Sequence, residues 1–137
     1  MSSYQIIDEP KPSAYDNLIA DPTVILFAAL LVPLFVDLPF YGRLWLPLLW
    51  AVANGFLLGS PTKIKESVIA IGGALLLAAL IVSLAYLANT NVELMRSVAP
   101  YFRITIQGVL FFTLYLIVFS QSVPYSIHQY VKEQNKN

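Results

Sequence analysis

SVIAIGGALLLAALIVSLAYLA, residues 67–88, runs without a charged side chain from Glu66 to the polar exit Asn89-Thr90-Asn91-Val92-Glu93. A helix that crosses a hydrocarbon core of ~30 Å needs about 20 apolar residues, and this stretch supplies them with no proline and no ionic group to interrupt it. It predicts a membrane-spanning helix. The rest of the chain is consistent with that setting: 58% of the 137 residues are hydrophobic and 12% are charged, against about 25% charged in soluble domains.

Working outward, three further uncharged stretches are candidate spans, giving approximate limits of 22–37, 43–59, 67–88 and 104–122. The expected fold is therefore an all-α integral membrane protein with four transmembrane helices. The first two form a short hairpin that contains Pro33 and Pro47 and turns at Asp37-Leu38-Pro39-Phe40-Tyr41-Gly42-Arg43. Prolines and marginal apolar length leave a re-entrant hairpin as the alternative to a full crossing. Phe40, Tyr41 and Trp45 around Arg43 suit an interfacial aromatic belt. Residues 94–102 read as a short surface helix stopped by Pro100, and the fourth span is expected to end at Ser120-Gln121-Ser122, before Pro124.

The expected organisation is a polar, acidic arm (1–21), a four-helix membrane domain (22–123) and a polar tail (124–137). The arm lacks the basic and apolar regions of a cleavable signal peptide, so the first apolar segment is expected to remain in the mature protein. With four crossings, Lys11, Lys63, Lys65, Lys132 and Lys136 share one side and Arg43, Arg96 and Arg103 the other. Five cations against three place both termini in the cytoplasm by the positive-inside rule.

In lipid, helices associate through close packing and hydrogen bonds rather than hydrophobic drive. Ala51, Gly55 and Gly59 in the second segment, and Ala70, Ala74 and Ala78 in the third, recur every fourth residue and so align on helix faces that fit a packing partner. Asn54 and Gln107 are the principal polar residues within the spans, suited to interhelical hydrogen bonds or to the lining of an oligomeric pore. Asp37 and Arg43 are a candidate interfacial charge pair.

No arrangement for catalysis is evident. The lone His128 has no companion ligands at metal spacing, cysteine is absent, and HExxH, GxSxG, P-loop and GxGxxG patterns are all missing. The expectation is a noncatalytic membrane subunit, without cofactor or metal, that assembles with other membrane proteins or with itself in the lipid bilayer. A homo-oligomeric pore is the alternative. Eight basic and eight acidic residues cancel, so no nucleic-acid partner is expected.

Overall fold

The computed structural model describes residues 18–35 and 40–134, which form four helices and no strand: α1 (Pro22–Phe35), α2 (Phe40–Leu57), α3 (Lys63–Thr90) and α4 (Val92–Gln134). At 1.5 Å per residue their lengths are about 21, 27, 42 and 64 Å. Two of them, α3 and α4, are long and apolar enough to cross a membrane, whereas the uninterrupted apolar part of α1 is shorter.

Local chemistry sets the helix ends. Asp21 accepts a hydrogen bond from the Thr23 amide at 2.8 Å, and Pro22 occupies the first helical position, where its missing N–H leaves no helical bond unmade. The end of α2 is a glycine-terminated turn. Gly59 has φ +64°, its amide donates to Phe56 O at 3.1 Å, and the Ser60 amide donates to Gly55 O at 3.0 Å, the paired bonds of a Schellman motif. A single residue, Asn91, joins α3 to α4. Its amide bonds Leu87 O at the end of α3, while its side-chain Oδ1 accepts from the Leu94 amide at 3.0 Å and caps α4.

Pro100 does not stop a separate surface helix, and the helix continues past Pro124 into the polar tail; both prolines lie inside a continuous α4. Each proline removes one backbone donor, a local cost that the turns on either side outweigh. The one-residue joint also forces α3 and α4 into an antiparallel pair, which is the most extensive packing in the molecule.

The α1–α2 hairpin lies against only part of that pair. The core is built from Ile25, Leu44, Leu48 and Ala51 of the hairpin, Ala70 and Leu77 of α3, and Ile106, Leu114 and Ile117 of α4. The buried residues of α3 end at Leu77, and those of α4 begin at Ile106. Beyond these levels α3 and α4 continue as a two-helix pair.

Outside this core, large apolar side chains face outward on every helix. Leu75 and Val82 of α3 and Phe119 of α4 are 68%, 67% and 69% exposed.

Candidate functional site

At one end of the core all four helices converge on a buried polar node. Along α3 the inward positions are Glu66, Ala70, Gly73 and Leu77, spaced four, three and four residues apart, which keeps them on one helix face. That stripe begins with a carboxylate: Glu66 is only 1% exposed. The same steps on α4 bring Gln121 inward, fully buried, level with Glu66.

The hydrogen bonds of the node have a fixed direction. The Ala20 amide donates to Asn54 Oδ1 at 2.8 Å, and Gln121 Nε2 donates to the Ala51 carbonyl at 2.8 Å. A backbone N–H can only donate and a carbonyl can only accept, so these two contacts orient both side-chain amides. Asn54 Nδ2 then donates to Gln121 Oε1 at 3.2 Å, and Gln121 Nε2 also donates to Glu66 Oε2 at 2.8 Å. The other carboxylate oxygen accepts from Ser60 Oγ at 2.7 Å and Thr62 Oγ1 at 2.6 Å. Three side-chain donors thus surround the Glu66 carboxyl, and the two hydroxyls, themselves 2.9 Å apart, can accept as well as donate.

Among the described residues no cation lies beside Glu66. Lys63 turns away, its Nζ 5.8 Å from the centre of the Phe56 ring, and Lys65 is exposed. No buried side-chain polar atom among the described residues lacks a partner. The node therefore fixes the relative register of the start of α1, the end of α2, the start of α3 and the interior of α4.

Glycine gives the node its room. A Cβ on Gly55 would overlap Glu66 Oε2 and lie 2.8 Å from Gln121 Nε2. Gly73 likewise admits the Thr113 side chain, allowing close approach of α3 and α4. Gly72 and Gly108 are different: a Cβ at either would meet nothing within 4 Å. Both line an open groove of about 580 Å³ between α3 and α4, together with Ile69, Leu76, Thr105 and Phe112.

The residues singled out from sequence are distributed as follows. Ala51 is fully buried and supplies the carbonyl that orients Gln121. Gly55 lies beside the node, and Gly59 is beyond α2, in the turn. Ala70 is buried, while Ala74 and Ala78 are half-buried. Asn54 belongs to the node, but Gln107 is exposed on α4 and is not brought to it. Arg43 is half-buried and lines a second, apolar cleft of about 370 Å³ between α1 and α2; Asp37 lies outside the described residues.

Sequence reading missed Glu66, whose signal is the Ala70-Gly73-Leu77 stripe carried back one four-residue step. It also treated Gln121 as the polar end of a span. In the fold that residue is the hub of the node.

Ser60 and Thr62 direct their hydroxyls at the carboxylate, and Asn54, Ser60, Glu66 and Gln121 are all closed to the exterior. Comparisons with protein-family models, with curated proteins and with solved structures return no match to this chain.

Proposed function

We propose that the chain is a noncatalytic, multi-pass membrane subunit. Helices α3 and α4 cross the bilayer, α1 and α2 are embedded beside them, both termini face the cytoplasm, and assembly occurs through helix packing. The carrying observation is an uncovered, glycine-floored groove on two helices that expose large apolar side chains such as Leu75, Val82, Phe112 and Phe119. An apolar exterior around a polar, hydrogen-bonded interior suits lipid as solvent. Open glycines suit a neighbouring helix at short range, because packing between membrane helices favours small residues.

The double substitution Gly72→Leu and Gly108→Leu tests this directly. Neither side chain meets a neighbour within the chain at its Cβ, so helical content and monomer stability are expected to persist. The mass of the gently extracted native complex should fall to that of the isolated chain. An unchanged mass with bulky residues in the groove would remove the groove from assembly. The partner is a transmembrane segment of another subunit or of a second copy, and the identity of the lost mass separates the two.

A further inference from the structure

The outward face of α4 carries an eleven-residue repeat. Phe112, Leu116, Phe119, Val123, Ile127 and Tyr130 recur at steps of four, three, four, four and three residues, so that Phe112 returns as Val123, Leu116 as Ile127 and Phe119 as Tyr130. Three turns per repeat is about 3.67 residues per turn, close to the helix's own 3.6, and the stripe therefore runs nearly straight along α4. Leu116 is half-buried and the other five are more than half exposed. Toward the start of α4, steps of four and three lead on to Gly108 and Thr105, which line the open groove against α3. Groove and stripe are one continuous surface.

This surface runs past the end of the apolar span. On α3 the uncharged run stops at Glu66, beside Lys65 and Lys63, and Glu66 is hydrogen-bonded to Gln121, which marks the same level on α4. Ile127 and Tyr130 stand about 9 and 14 Å beyond that level at 1.5 Å per residue, and α3 itself begins only about 5 Å beyond it. There α4 has no α3 beside it, and Ile127 and Tyr130 are 59% and 63% exposed. Lipid suits the stripe between the groove and Gln121, but past Gln121 the same stripe meets water. An apolar face that continues from one solvent into the other marks a protein contact, and its occupant is a helix that makes the same passage over the length from Thr105 to Tyr130, about 38 Å.

A second α4 has that length. With every copy inserted in one orientation, two α4 helices meet parallel and level, and a two-fold axis sets each stripe residue beside its own counterpart. Such a contact excludes charge, because every charge would face its like. The stripe carries none, although Lys132 and Glu133 lie beside it on the same stretch of helix. We propose that the groove and stripe are covered by a second copy of this chain, in a parallel dimer paired along α4. This inference rests on the reading of the chain as a membrane subunit that assembles through the groove, and it names the partner.

The chain contains no cysteine, so single cysteines report on the contact. Val123→Cys and Gln134→Cys lie eleven residues apart on the midline of the stripe, and Ser122→Cys and Glu133→Cys, one residue earlier in each case, sit about 100° round the helix. All four native residues are exposed. The full-length variants are oxidised with copper phenanthroline in native membranes. The expected result is a disulfide-linked dimer of the chain at Val123→Cys and Gln134→Cys and none at the two neighbours. Adding Ile127→Glu to both copies, or Ile127→Lys to both, should lower the Val123→Cys dimer at least roughly tenfold, since opposed like charges cost several kcal/mol. Co-expressing one of each should restore it.

No disulfide at the midline positions, or equal disulfide at all four, overturns self-pairing and leaves the membrane subunit standing with a different chain in the groove. Midline disulfides that the mixed Ile127→Glu and Ile127→Lys copies fail to restore overturn the level, parallel arrangement. Release of the unsubstituted chain from the same membranes by alkaline carbonate overturns the membrane reading itself.

Discussion

Replacing Gln121 by leucine is expected to destabilise the folded chain by about 3–5 kcal/mol, at about 1–3 kcal/mol for each buried polar group left without its partner. The size follows from the number of groups stranded. Glu66 Oε2 loses its donor, Asn54 Nδ2 its acceptor and the Ala51 carbonyl its side-chain partner, all within a region closed to water. Unfolding from mild detergent into SDS, followed by the fluorescence of Trp45 and Trp50, gives the value. A second variant checks the cause: Asn54→Leu combined with Gln121→Leu should cost clearly less than the sum of the two single changes, because they share one hydrogen bond. A loss below about 1 kcal/mol for Gln121→Leu would be the cost of an ordinary hydrogen bond, and the node would not be what holds the helices in register.

The second large effect is one of sign. Gly55→Ala lies inside α2, where helix propensity alone favours alanine by about 1 kcal/mol. The node predicts the reverse. The new methyl group would overlap the Glu66 carboxylate and crowd Gln121 Nε2, and crowding in a packed core costs about 1–3 kcal/mol in addition to any hydrogen bond it displaces. A net loss of about 2 kcal/mol is expected in the same SDS titration. Gly72→Ala provides the contrast: it is also within a helix, but its Cβ would meet nothing within 4 Å, so it should be neutral or stabilising by up to about 1 kcal/mol. If the two substitutions behave alike, propensity rather than the node governs position 55.

The helical architecture was legible because its signals are local. Long uncharged runs and polar interruptions marked the four long helical segments, and α3 contains the whole of the expected 67–88 segment, whereas residues 94–102, expected as a separate surface helix, are the start of α4. The node was not legible because its signals are tertiary. Glu66 follows Lys63 and Lys65 in a charged connection, and only the stripe through Ala70, Gly73 and Leu77 distinguishes it from its solvated neighbours. Gln121 sits between two serines and before a proline, which read as an exit from the membrane until Asn54 and Glu66 are seen beside it. The reach of the α1–α2 hairpin was equally hidden. Apolar length alone leaves both a crossing and a return open, whereas the level of Asn54 relative to Glu66 ties the hairpin to one end of the α3–α4 pair.

The proposed arrangement has lipid around the apolar outward side chains of α3 and α4, with Asn54, Glu66 and Gln121 turned inward. Spin labels at Leu75, Phe112 and Phe119, read by collision with oxygen and with a water-soluble nickel chelate in reconstituted bilayers, test it most directly. The account predicts that all three favour oxygen strongly, with Leu75 and Phe112 the deepest. Ready collision with the nickel chelate at Leu75 and Phe112 would mean that these side chains face water, and the membrane-embedded bundle would be contradicted.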